Sequence, residues 1–164
     1  MAPKLEIAFT MRAYLNKANV LDLGAIKSGP QRVIVPISHG FLDGSGVHAT
    51  ILPGGSDWSL VNTSGNTIHL DVRTQARSDD EKNFYIHYNG VVKFDESLVG
   101  FFQWGQDAKT TSFGDHHWFT MPIMETNHTE YKWVEETVFV GQGRCVVDSD
   151  GAQAVEYQIY RVMN

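Results

Sequence analysis

Candidate chemistry concentrates in one stretch rich in aromatic and ionisable side chains, WFTMPIMETNHTEYKWVEETVFV, from Trp118 to Val140. Aromatic and β-branched residues on either side of Asn127-His128-Thr129 predict two strands meeting at a polar turn. Strand side chains alternate with period two, so Tyr131, Trp133, Glu135 and Thr137 fall on one face of the second strand. A phenol, an indole, a carboxylate and a hydroxyl make a poor hydrocarbon core. They make a good lining for a pocket that holds something aromatic and moves a proton on it. In that reading Glu135 is a general base, its pKa raised by desolvating neighbours. Tyr131 supplies a donor and Trp133 a stacking surface. The plainer reading has Glu135 facing solvent beside Lys132 and Glu136, with Tyr131 and Trp133 as ordinary barrel core.

Further candidates lie upstream. Arg73 shares a polar strand face with Asp71, and an always-charged donor suits a developing phenolate or enolate. An Arg73–Asp71 structural ion pair is the equal alternative. His87 shares a face with Tyr85 and Asn89 and titrates near neutral pH, although a lone strand histidine is more often structural. Asp57-Trp58 follows Gly54-Gly55, a turn that would present both residues at a barrel mouth. A turn-capping role is the better reading for Asp57 alone. Trp58, Tyr85, Trp118, Trp133 and Asp57 form the expected substrate-binding set; Arg73, Glu135, Tyr131 and His87 form the expected catalytic set.

The elements that must position these residues are nearly all strands. Residues 4–14, 31–37, 47–52, 56–61, 67–78 and 83–94 carry β-rich runs separated by Gly, Pro and Asn turn signals. In 67–78, Ile68, Leu70 and Val72 share one face, while His69, Asp71, Arg73 and Gln75 share the other. Residues 95–115 are expected to hold a short helical turn or an ordered loop. Strands again precede and follow the Asp148–Gly151 turn. No segment sustains a 3.6-residue apolar period over three turns. About nine short strands predict an all-β fold, a sandwich or a closed barrel, and strands with one polar and one apolar face favour closure into a single antiparallel, meander-type β-barrel of eight to ten strands with little helix. Residues 1–164 are expected to form one domain.

Composition narrows the function. The chain has a net charge of −6, and its isoelectric point near 5.6 lacks the basic footprint of a nucleic-acid binder. No apolar run approaches the roughly 18 residues of a membrane-spanning helix, and MAPKLEIAF has charges where a signal peptide is apolar. Cys145, the single cysteine, fits a reducing compartment, so cytoplasmic residence is expected. Asp115-His116-His117 lacks the HxH or HExxH spacing of a metal site, and no metal is expected. Nor does the chain contain GxGxxG, GxxxxGK[ST] or GxSxG, so no cofactor is expected.

Several motifs occur in a characteristic order: LDLG (21–24), RVIVPI (32–37), HGFLDGSG (39–46), LPGGSDW (52–58), DVR (71–73), HYNG (87–90), Pro122 with Glu125-Thr126, Tyr131-x-Trp133 and YRV (160–162). Over nearly the whole chain this set resembles the family catalogued as domain of unknown function 3237. The resemblance implies a compact antiparallel β-barrel. Some fungal members are associated with cofactor-free isomerisation or cyclisation of phenolic and polyketide-like molecules, as in a fungal type of chalcone isomerase. Two departures stand out. Phe119 occupies the place of a family Arg, and Val134-Glu135 that of a Leu-Asn pair. The implied activity is a cofactor-independent isomerase or cyclase acting on a small phenolic or polyketide-like ligand by acid–base catalysis. A lipocalin-like binding protein, or a dehydratase or lyase using the same pocket, is the alternative, and assembly as a homo-oligomer through a strand edge is a further expectation.

Overall fold

The computed structural model describes residues 1–164. Nine strands follow one another: β1 (Lys4–Leu15), β2 (Leu21–Ala25), β3 (Gln31–Gly44), β4 (Val47–Asn62), β5 (Thr67–Ser78), β6 (Asn83–Lys93), β7 (Trp118–Thr126), β8 (Phe139–Val147) and β9 (Gln153–Met163). From β3 to β9 each strand pairs antiparallel with the next, and β1 bridges β9 and β3. This closes an eight-stranded antiparallel barrel, with β2 added outside it along β3. Closure removes the unpaired edges that an open sheet would leave. It depends on Gly40 in β3, with φ 153°, where any Cβ would collide with the Arg12 carbonyl of β1.

The alternation read in 67–78 sorts as a barrel wall requires. Ile68, Leu70 and Val72 are buried, whereas His69 and Arg73 are exposed and Asp71 is half-buried. In β6, Phe84, Ile86 and Tyr88 are likewise buried. Two expected breaks are absent. Pro53-Gly54-Gly55 is not a turn but a bulge inside β4, where Leu52 and Ser56 pair with Gln75 and Arg73 and the intervening residues bow out. The single strand expected over 31–37 runs on through Gly44.

The expected strand at 131–137 is also absent. Thr129–Glu136 is a 3-10 helix, and β8 begins only at Phe139. Tyr131, Trp133 and Val134 therefore turn around a helix instead of alternating across a strand. They pack on the hydrophobic core and close one end of the barrel. There Trp133 stacks on Phe9, with ring centroids 5.8 Å apart, and Phe139 lies against both rings. The only α-helix, α1 (Glu96–Phe102), lies at the opposite end. Asp95 caps it, accepting from the Ser97 and Leu98 backbone N–H groups. No helix is long and apolar enough to cross a membrane.

The two ends of the barrel interior therefore differ. The end under the 3-10 helix is filled by large side chains, among them Phe9, Phe84, Ile86, Met124 and Phe139, each at most 2% exposed. The end under α1 is walled largely by Val, Ile and Leu, and it is hollow.

Candidate functional site

The hollow end is a cavity of about 630 Å³, within the range of small-molecule sites. Inward-facing aliphatic residues of β3, β5 and β9 supply most of its wall, including Val33, Val35, Leu70, Val72 and Val155. Phe101, Phe102 and Trp104, from α1 and the turn after it, overhang the mouth. Trp104 holds a left-handed backbone, φ 58°, which a bulky residue seldom adopts. The Lys17 ammonium lies 5.8 Å from its ring centroid.

The polar groups inside come from four strands of the wall. Asp57 and Ser59 come from β4, Tyr88 from β6, Trp118 from β7 and Tyr157 from β9. Each points inward because each falls on the inward parity of its strand. Asp57 accepts 2.9 Å from the Ser59 hydroxyl and 3.1 Å from the Asp71 backbone N–H. Burial nevertheless pushes its carboxyl up to about 6, outweighing those two hydrogen bonds. The surface that Asp57 does expose is cavity wall. The nearest influential cation is Arg32, which donates to the Trp58 carbonyl and is absent from the lining.

Tyr88 and Tyr157 meet edge to face, ring centroids 5.2 Å apart, and both are at most 2% exposed. Burial raises both phenols well above their ordinary range, and the Asp57 charge raises them further. Both therefore stay protonated and act as donors. The Trp118 indole packs edge-on to Tyr157 at 5.9 Å. Its N–H is buried, on the side of the Tyr157 hydroxyl. Gly143 of β8 makes room for that ring, since a Cβ there would lie 2.7 Å from three indole atoms. A carboxyl raised toward neutrality thus shares the cavity with two protonated phenols, in apolar surroundings. Such a group can remove a proton from a ligand and stabilise the oxyanion that results.

Of the residues singled out from sequence, Asp57 and Trp118 line this cavity and the others do not. Arg73 lies on the outer face of β5, pairs with Asp71 at 3.0 Å and reaches over the ring of Trp58, itself on the outer face of β4. His87 also faces outward and contacts the same Asp71 oxygen at 3.2 Å; Tyr85 is exposed beside it on β6. The polar face of β5 therefore meets solvent, and its apolar face lines the cavity. Glu135 sits on the 3-10 helix, bound to Lys132 at 2.7 Å and to the Thr126 N–H at 2.9 Å. Lys132 and then Thr126 hold its carboxyl below the usual range, the reverse of what a desolvated base requires. Tyr131 and Trp133 belong to the plug at the far end. The Phe119 and Val134-Glu135 departures also lie off the cavity, on the outer face of β7 and in the plug.

Tyr88, Tyr157 and Ser59 were not singled out from sequence. Tyr88 stands in the HYNG motif and Tyr157 three residues before YRV, so both lie in or beside motifs of the family resemblance. What exposes them as a set is barrel closure, which brings β9 opposite β4.

Comparison with known proteins agrees with this architecture. A UPF0311 protein from Rhodopseudomonas palustris is 28% identical over 155 residues, covering 90% of this chain and 97% of its own. PR-toxin biosynthesis cluster protein 7 from Penicillium roqueforti is 21% identical, covering 84% of this chain and 76% of its own. The crystal structure of a conserved Rhodopseudomonas palustris protein of unknown function superposes with a TM-score of 0.81 at 22% identity, over 99% of both chains. An enzyme from Penicillium herquei does so at 0.59 and 14% identity, over 99% of this chain and 96% of its own. The family model described as Protein of unknown function (DUF3237) matches residues 3–162, and the chain belongs to that family.

Proposed function

We propose that this barrel is a cofactor-independent isomerase or cyclase for a small phenolic or polyketide-like molecule. The observation that carries the reading is Asp57, a cavity-facing carboxyl pushed up to about 6 and set among Tyr88, Tyr157 and Trp118. In an intramolecular conjugate addition, the Asp57 carboxylate takes the ligand's phenol proton. The phenolate oxygen then bonds to the β-carbon of an enone, and the π electrons move onto the carbonyl oxygen. Tyr88 and Tyr157 donate to that enolate. Protonated Asp57 returns its proton to the α-carbon, so the product is an isomer of the substrate and the base is restored. A base near neutrality is well matched to such a two-way transfer. Apolar walls that hold the ligand folded for attack lower the barrier further. The Penicillium roqueforti relative, named for a biosynthesis cluster, and the Penicillium herquei enzyme lend distant support.

The test is turnover of a panel of hydroxylated enones without added cofactor, comparing wild type with Asp57→Asn, Tyr157→Phe and the outer-face control Arg73→Ala. Conversion by wild type and Arg73→Ala, with a loss of about 100-fold or more in Asp57→Asn, is expected. Conversion undiminished in Asp57→Asn would refute the assignment. The predominantly apolar lining favours one second reading, a carrier of an apolar ligand; it predicts binding without any conversion.

A further inference from the structure

Among the residues that line the cavity the ionisable groups are Asp57, Asp22, Tyr88 and Tyr157; no Lys, Arg or His is among them. Asp22, at the mouth, accepts from Gln31 and from the Gly24 backbone, and these bonds hold its carboxyl below the usual range. Arg32 is turned to the outer face and committed to the Trp58 carbonyl. Every formal charge carried by the lining is therefore negative, and the cation nearest the mouth, Lys17, is held over the Trp104 ring outside it. Resting on the acid–base reading above, we propose that the cavity selects ligands that arrive uncharged, carrying a protonated phenol or carbon acid beside a carbonyl, and rejects carboxylates, sulfonates and phosphate-bearing forms of the same skeleton.

Charge conservation underlies the selection. When Asp57 deprotonates a neutral ligand inside the cavity, one negative charge moves from the carboxylate to the ligand oxygen and the sum over Asp57 and ligand stays at −1. Two hydroxyl donors in the lining, Tyr88 and Tyr157, are available to that oxygen. A ligand that arrives as an anion instead brings the total to −2, or forces Asp57 to take up a proton from solvent. It also loses its hydration to a wall of Val, Ile and Leu with no cation to replace it. The same donors that stabilise an anion formed in place therefore do not suffice to admit one from water.

The experiment uses two fluorescent probes of one skeleton, uncharged N-phenyl-1-naphthylamine and its sulfonated counterpart 1-anilinonaphthalene-8-sulfonate. Titrations at pH 8 with wild type should give saturable binding of the uncharged probe and binding of the sulfonate weaker by about 100-fold or more. Asp57→Asn should narrow the gap, and Val35→Arg, which introduces a cation into the wall, should narrow it further by improving the sulfonate. Equal binding of both probes, tighter binding of the sulfonate, or binding of neither would overturn the proposal. Probe selectivity without turnover of any enone would instead count against the catalytic reading and leave the charge selection standing.

Discussion

Replacing Asp57 with Asn should stabilise the protein at neutral pH while it abolishes proton transfer. The fold raises the Asp57 carboxyl from an ordinary 3.8 to about 6, so folding disfavours its charged form. Below the unfolded value both states are protonated and the residue costs nothing. The cost grows as pH rises from about 4 to 6 and is complete above that. At about 1.4 kcal/mol per pH unit, the interval amounts to about 3 kcal/mol. An Asn side chain avoids this cost and keeps both contacts, its carbonyl accepting from the Asp71 N–H and its amide donating to Ser59 Oγ. The Asn variant should therefore match wild type near pH 4 and exceed it by about 3 kcal/mol at pH 8. For a chain of this size that corresponds to a melting shift on the order of 10 °C. Urea denaturation followed by tryptophan fluorescence, run on both proteins at pH 4, 5, 6, 7 and 8, measures the difference directly. A gap that does not change over that range would mean that Asp57 titrates as an ordinary carboxylate, and the base assignment would fall with it.

Three further outcomes follow from the geometry. Arg73→Ala and Glu135→Gln remove exposed partners of Asp71 and Lys132, so neither should move the denaturation midpoint appreciably and both should leave turnover unchanged. Cys145 is fully buried and its thiol is pushed up to about 12 by burial, so a disulfide exchange reagent should label it only on unfolding; rapid labelling of native protein at pH 8 would contradict that placement. Gly143→Ala should cost about 1–3 kcal/mol and displace the Trp118 ring, visible as altered near-ultraviolet circular dichroism and as lost ligand affinity; an unchanged spectrum would show that the ring has room that the structure denies it.

Strand existence and barrel class were legible because alternation is a local property. The run from Ile68 to Gln75 announces two faces without reference to any other segment. Which face turns inward was not local. The polar face of β5 looked like a pocket lining, but a small barrel gains most by burying Ile68, Leu70 and Val72 and hydrating Arg73. The same logic sends His87 and Trp58 outward. At Tyr131–Thr137 an alternating pattern was compatible with a strand, yet Tyr131, Trp133 and Val134 fit a short 3-10 turn over the barrel end equally well. Tertiary contact with Phe9 and Phe139 decides between them. Asp57 was legible as a position but not in its surroundings, because Gly54-Gly55 signals a turn as strongly as it signals a bulge. Tyr88 and Tyr157, 69 residues apart in the chain, become neighbours of Asp57 only when the wall closes.

Closure also sets the order of events during folding. From β3 to β9 each strand pairs with its successor in the chain, across short turns except where α1 and the 3-10 helix intervene. The final seam joins Lys4 to Met163 and Tyr14 to Ala154, a span of almost the whole polypeptide. Such distant pairing carries a loop-closure entropy that neighbouring hairpins do not, and it slows the last stage of assembly. On the ribosome, β1 must wait until Gln153–Met163 has emerged before it can meet its second partner. Until then Val155 and Tyr157 are missing from the wall, and the cavity around the Asp57 carboxyl is incomplete.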